Sequence, residues 1–188
     1  MQEKTPWVWN LVEELNAALC AFKIGDRRRL QTCMIEGVRV ADIKDAEPLA
    51  CFFASQPPES YKWFRPHAFD AATMRKLLRR KSYIIYVMEE RGEIIGYAFL
   101  RCFINGKCFL GKMVDARHQG KGVCTKLCAV GMDIAVKTNF RMYESINKEN
   151  IGSMKASQKA CEVIVVEELE NGDLLIEDRP KVGDSKRK

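Results

Sequence analysis

The chain of 188 residues carries 47% apolar and 30% charged residues, with 12 Gly and 6 Pro. That suffices for one domain with a packed core, and it excludes a multidomain machine, a collagen-like repeat and a disordered polar chain. The net charge of +6 is concentrated at the end, where Arg179, Lys181, Lys186, Arg187 and Lys188 stand against Asp184, so five minus one leaves +4 in the last ten residues. The body is only mildly basic. With no aromatic or Gly-rich RNA motif beside it, the basic tail reads as a solubilising extension and no nucleic-acid partner is expected.

The first element expected is a helix, with Thr5 as its cap and Pro6 at its first position. Trp7, Val8, Leu11, Val12, Leu15, Leu19 and Phe22 recur along it at helical spacing, and Gly25 is placed to end it. So wide a stripe needs a partner surface, so it either docks on the following domain or meets another subunit in a homodimer. Asp26 to Gln31, with the run Arg27-Arg28-Arg29, reads as a solvated linker. From Ile35 strands and helices alternate: a short strand Val38 to Ala41, then a helix Ala46 to Phe53 whose Pro48 fits only its first turn. Beyond Pro57-Pro58 the segment Glu59 to His67 is too aromatic for mere connection, and either packs as a lid or lines a ligand site.

Asp70 caps a helix running through Arg80. Strands then follow over Ser82 to Glu89, Glu93 to Phe103 and Lys107 to Asp115, with Asn105-Gly106 a hairpin signal, so the three should form an antiparallel meander. Helix Lys121 to Lys137, strand Arg141 to Ile146, helix Asn150 to Ala160 and strand Glu162 to Glu167 come next, and Asn171-Gly172 turns into a last strand, Leu174 to Glu177. The eight cysteines include no Cys-x-x-Cys pair and the only histidines are His67 and His118, so no metal site is expected and most thiols should be buried. Glu3, Glu13 and Glu14 stand where a secretory signal would place cations and an apolar block, and no run is long enough to span a membrane, so a cytoplasmic protein with no membrane partner is expected.

The chemistry is expected directly after the strand ending in Val114-Asp115. There Ala116-Arg117-His118-Gln119-Gly120-Lys121-Gly122-Val123-Cys124-Thr125 leads into a long helix. Two glycines let the backbone approach an anion, and the amides at the helix N-terminus offer a receptor for phosphate, with Lys121 adding a charge and Thr125 a hydroxyl. A tight turn would use the same residues. No Gly-Lys-Ser/Thr ends the run, so it is not a Walker loop, and the preceding meander excludes a Rossmann unit.

The run Val114-x-x-x-x-Gln119-x-x-Gly122-x-Cys124, together with Asn150-x-x-Ser153 after the next strand, resembles the two motifs of the GCN5-related N-acetyltransferase (GNAT) family. The resemblance covers about residues 35 to 178, which divides the chain into an N-terminal helix and linker (1–34), an acetyltransferase domain (35–178) and a basic tail (179–188). It implies a mixed α/β (α+β) fold with a mainly antiparallel sheet of about six or seven strands, splayed at its centre, flanked by helices and preceded by a helical arm. By the same resemblance the acyl donor is acetyl-CoA. Its pyrophosphate would lie on the amides of Gln119, Gly120, Lys121, Gly122, Val123, Cys124 and Thr125, its pantetheine arm along Met113, Val114 and Asp115, with Asn150 and Ser153 holding it from the neighbouring helix. The implied reaction moves acetyl to a primary amine of a small molecule, an amino sugar among them, by direct attack in a ternary complex. Acetylation of a protein amine and a non-catalytic acyl-CoA sensor are the alternatives.

Three departures from the family pattern stand out. Ala116 takes the place of a frequent Pro, Cys124 replaces the last small residue of the first motif, and Ser157 occupies the register of the Tyr that protonates the departing thiolate, with Cys161-Glu162 in place of Gly-Phe. A protonated amine cannot attack a thioester, so a base is needed as well. The strand Lys107 to Val114 holds no carboxylate. Glu144 on the next strand is then the candidate base, against the alternative of a surface carboxylate paired with a lysine. His67 is the second candidate, against the alternative of a hydrogen-bonded structural histidine.

Overall fold

The computed structural model describes residues 6–181. Thr5 and the tail beyond Lys181 lie outside the described residues. Helix α1 (Pro6–Ile24) is followed by a 3-10 turn over Arg27–Cys33, strand β1 (Val38–Val40), helices α2 (Ala46–Ala54) and α3 (Ala71–Arg79), and the meander β2 (Tyr83–Glu90), β3 (Glu93–Cys102) and β4 (Lys107–Val114). Then come α4 (Val123–Lys137), β5 (Arg141–Asn147), α5 (Ile151–Ala160), β6 (Glu162–Glu168) and β7 (Asp173–Arg179). One seven-stranded sheet results, in the order β1-β2-β3-β4-β5-β7-β6. Every pairing is antiparallel except β4 with β5, which is the mixed, mainly antiparallel sheet expected.

The period of two along β2 and β3 sends alternate side chains to two cores. Ile84, Tyr86, Leu100 and Cys108 pack with Leu127, Val130 and Ile134 of α4 on one face. Ile85, Val87, Tyr97 and Phe99 pack with Phe52 and Phe53 of α2 and with Met74 and Leu77 of α3 on the other. Asp70 caps α3 by accepting from the Thr73 amide, as its position foretold. Of the eight cysteines, six are buried, Cys124 is half-buried and Cys51 is exposed.

Two expectations for the N-terminal segment are corrected. Helix α1 does dock on the domain, but through Ala17, Cys20 and Ile24, while Leu11, Leu15 and Phe22 of the expected stripe face solvent, Phe22 at 92% exposure. The reason is Asn16, whose side chain donates to the Cys102 carbonyl at 3.0 Å and accepts from the Ile104 amide at 3.0 Å. A polar residue that satisfies two backbone groups at the hairpin end of β3 selects the face of the helix, and the small residues beside it let the helix approach. The second correction concerns Arg27. It is no solvated linker residue, since its guanidinium donates to the carbonyls of Leu78 (3.3 Å), Arg80 (3.0 Å) and Tyr83 (2.8 Å). Leu30, at 1% exposure, is buried in the same core as Cys20 and Ile24.

Arg27 therefore caps the C-terminal end of α3 from a distance. Losing a charged donor shared by three carbonyls costs about 1–3 kcal/mol in similar settings. Arg27→Met, which keeps much of the apolar stem, is expected to lower the urea midpoint by that amount without changing the slope. An unchanged midpoint would show that water replaces the guanidinium at no cost.

Candidate functional site

Strands β4 and β5 pair at only three positions, Lys107 with Arg141, Cys108 with Met142 and Phe109 with Tyr143. Beyond these the strands part, while β4 stays paired to β3 up to Val114 and β5 to β7 up to Asn147. Two stiff half-sheets thus diverge from a common seam, leaving the inner backbone edges of both strands without a ladder partner.

At the mouth of this seam β4 runs into the glycine loop. Asp115 is buried and accepts from the Arg117 amide at 2.8 Å, from the Arg117 guanidinium at 3.1 Å and from Gln56 Nε2 at 3.2 Å, with His118 Nδ1 at 3.1 Å. Arg117 first, then Gln56 and His118, hold its carboxyl well below the usual range against the opposing effect of burial. Gln56 also accepts from the Ala116 amide at 3.0 Å, so the start of the loop is gripped from α2. Helix α4 begins two residues later than expected, at Val123, with Gly122 as N-cap at φ 83° and no side chain capping it. A left-handed cap favours glycine, and a Cβ built there would meet no atom within 4 Å, so the first amides of α4 face open space.

A cavity of about 670 Å³ lies against these amides. Met113 and Val114 of β4, the loop residues Gln119, Gly120 and Gly122, the first residues of α4 (Val123, Cys124 and Thr125), and Asn150 and Ser153 of the α5 start all line it. Asn150 is also the N-cap of α5, accepting from the Ser153 amide at 3.2 Å. Asp115 and Lys121, expected at the cofactor, are not among the lining residues: Asp115 turns inward to its hydrogen bonds and Lys121 is exposed. A second cavity of about 500 Å³ opens on the same seam, lined by Lys62, Trp63 and Arg65 of the aromatic loop and by Asn147, Asn171 and Asp173. Both readings of that loop hold together. Tyr61 and Phe69 pack inward on Phe53, while Trp63 and Phe64 line both cavities.

The catalytic expectations fare differently. His67 turns away from both cavities into the aromatic core, with Nε2 3.0 Å from the Tyr97 hydroxyl and Nδ1 2.8 Å from the Ala68 carbonyl, and burial lowers its pKa. It is the hydrogen-bonded structural histidine. Glu144 is at the seam and paired with a lysine, but the pair is buried rather than on the surface. Its carboxylate is ion-paired with Lys112, the two side chains being 3% and 4% exposed, and it accepts from Ser157 Oγ at 2.8 Å. Those bonds make it the counter-ion of Lys112, and it also lines the second cavity. Ser157 is fully buried, accepts from Lys112 Nζ at 3.1 Å and lines neither cavity.

Lys112, Gln56 and Asp178 were missed from sequence. Lys112 and Gln56 are single polar residues in otherwise ordinary segments, with no local signal of their partners. Asp178 was readable only as an acid at the end of an apolar strand.

The sequence matches the family described as an acetyltransferase (GNAT) domain over residues 37–160. The fold is similar to the GNAT domain of S. lividans PAT (18% identity, 74% of this chain and 88% of that one, TM-score 0.66). It is similar also to a ribosomal-protein-S5-alanine acetyltransferase from Vibrio fischeri (18% identity, 80% and 96%, TM-score 0.65). A third similar structure is the aminoglycoside acetyltransferase AAC(6')-Ib in complex with coenzyme A and kanamycin (16% identity, 80% and 98%, TM-score 0.61). No curated protein sequence matches the chain at a comparable level. No helix among the described residues is long and apolar enough to cross a membrane.

Asp178 of β7 pairs with Met142 of β5, at the level where β5 is still laddered to β4. Neither of its buried carboxyl oxygens has a hydrogen-bond donor among the described residues. Burial first and then Glu144 push its pKa up to about 8. A carboxyl with a folded pKa near 8 and an unfolded value near 3.9 holds a proton that the unfolded chain has lost, so its ionisation opposes folding. Stability is full below about pH 4, falls as pH rises toward 8 and then levels, with a total on the order of several kcal/mol. Asp178→Asn is expected to remove that loss, so that unfolding free energies of variant and wild type diverge from pH 5 to about 8 in the variant's favour. Parallel curves would show that Asp178 is ionised throughout.

Proposed function

The chain belongs to the GNAT acetyltransferases, which act on acetyl-CoA, and from that premise we propose that it transfers acetyl to the primary amine of a small, cationic, polar acceptor such as an amino sugar. The observation that carries this reading is the convergence of two cavities on the seam where β4 and β5 part. The first suits the donor: open amides at Gly120, Gly122 and the α4 N-terminus for the diphosphate, and the free edge at Met113 and Val114 for an extended arm. When bound, the donor supplies an activated acyl carbon and a thiolate leaving group. Gln56 and Asp115 hold the loop in register. Asp115 does so without repelling phosphate, because Arg117 screens its charge.

The second cavity suits the acceptor. Asp173 accepts from Asn147 Nδ2 at 2.9 Å, Asn171 Nδ2 at 3.1 Å and Ser145 Oγ at 3.1 Å. Three neutral donors fix a carboxylate without neutralising it, which suits an ammonium group on the acceptor. Trp63, 38% exposed and with Lys62 Nζ over its ring at 4.1 Å, offers an apolar wall beside it. A protein amine would have to thread a peptide between the aromatic loop and the β6–β7 turn; a sensor without turnover would have no use for the second cavity.

Gly122→Asp is expected to abolish CoA binding in calorimetry while the circular dichroism spectrum stays native, since it sets a carboxylate against the diphosphate and strains a left-handed cap. Retained affinity in the folded variant would remove the donor assignment. With a panel of amines, release of thiol should favour acceptors bearing a second cationic group. Asp173→Asn should raise their KM about tenfold or more with CoA affinity unchanged. Turnover on a peptide amine alone would overturn the small-molecule reading.

A further inference from the structure

Five residues line both cavities: Trp63, Phe64, Lys112, Asn150 and Ser153. Where a donor in the first cavity meets an acceptor in the second, Lys112 is the one charged residue of the five. We propose that the Lys112 ammonium, held in place by Glu144 and Ser157, stabilises the thiolate that leaves the acyl carbon, where an acid would otherwise supply a proton. The inference rests on the acetyl-CoA reading of the first cavity.

The surroundings of Lys112 explain why it works as a fixed charge. Burial opposes the ammonium, but the Glu144 carboxylate beside it prevails and holds Lys112 charged beyond an ordinary lysine. Such a group does not surrender a proton to a thiolate whose conjugate acid has a pKa near 8.5. The reaction balances without that transfer. The free-base amine forms a C–N bond, the C–S bond breaks with its electron pair left on sulfur, and the surplus proton on nitrogen passes to water in the second cavity. The thiolate takes a proton from water on release.

Glu144 opposes this role unless the pair is oriented, and the cavities show the orientation: Lys112 lines both, whereas Glu144 lines only the second. Three thiols lie within electrostatic reach of the pair: Cys124, which lines the first cavity, Cys128, a turn further along α4, and Cys161 beyond α5, which burial, Asp178 and Glu144 push up to about 12. The ammonium end of the pair is therefore the end that reaches the first cavity. Asp178 and Tyr86 complete the titratable groups named at the cluster: burial and then Glu144 raise the first, and burial raises the second, whose hydroxyl donates to the Leu127 carbonyl at 2.9 Å.

The test is the ionisation of CoA itself, which needs no knowledge of the acceptor. Thiolate absorbance of the wild-type complex with CoA is followed from about pH 6 to about pH 10, with the complex of desulfo-CoA subtracted to remove the protein's own thiols and phenols. The bound thiol is expected to titrate about one unit or more below free CoA, and in Lys112→Met to return to the free value or above it. The same curve in Asp178→Asn removes the contribution of that carboxyl. A wild-type bound thiol that titrates at or above free CoA overturns the proposal even if Lys112→Met fails to fold. So does an unchanged value in a folded Lys112→Met. Failure of desulfo-CoA and CoA alike to bind wild type would instead defeat the donor reading on which the proposal rests.

Discussion

Everything in this molecule is arranged around two neighbouring parallel strands that stop pairing after three residues. An unladdered strand edge is costly when buried, because its amides and carbonyls lose water without gaining partners. The fold tolerates the parting because each strand is fully paired on its other side, β4 with β3 over seven positions and β5 with β7 over six. The divergence is then a rigid feature of two half-sheets rather than a frayed end. Where backbone bonds cease, the Lys112–Glu144 ion pair takes over and ties β4 to β5 through side chains. A buried pair of this kind contributes little net stability, since desolvation consumes most of the attraction, but removing one partner is strongly destabilising. Its geometric effect is to join the two strands beyond the point where their ladder ends.

The same economy governs the loop at the seam's mouth. A site for an anionic ligand needs exposed amides, which means a helix start that no side chain caps, and Gly122 provides it. Asp115, one residue past β4, would spoil such a site if its charge were free. It is used instead as the internal cap of the 3-10 turn over Ala116–His118, surrounded by Arg117, His118 and Gln56. Gln56, at the end of α2, thereby connects the helix beneath the aromatic loop with the start of the glycine loop, so both walls of the first cavity share an anchor.

Much of this was legible in the sequence because it is local. The hairpin at Asn105-Gly106, the strand-turn-helix with Gly120 and Gly122, and the cap at Asp70 are each written within a few residues, and each forms within two residues of its expected place. What was illegible depends on separations that no window spans. Apolar spacing along α1 correctly announced a helix but misidentified its docked face, because Asn16 and its partners at Cys102 and Ile104 lie 86 and 88 residues apart. The Arg27 run looked like a polar linker because its three carbonyl partners belong to another element. His67 had a suitable pKa for proton transfer, and only packing shows that Tyr97 has already claimed it.

The departure at Ser157 makes sense beside Lys112. A phenol in this register would need room where Ser157 Oγ now bridges Lys112 and Glu144, 3.2 Å from the Ser153 carbonyl, and the position is fully buried. A tyrosine there and an ion pair here compete for one volume in a close-packed interior. The chain has filled it with a small hydroxyl and two opposite charges, of which only the lysine lines the first cavity. The two residues that look odd in isolation, a serine in place of a tyrosine and a lysine on an inward-facing position of a central strand, are thus one structural choice. On the proposed reading it trades an acid that gives a proton for a fixed charge that does not, which suffices because a thiolate, with a conjugate acid of pKa about 8.5, is a weak base and can depart unprotonated.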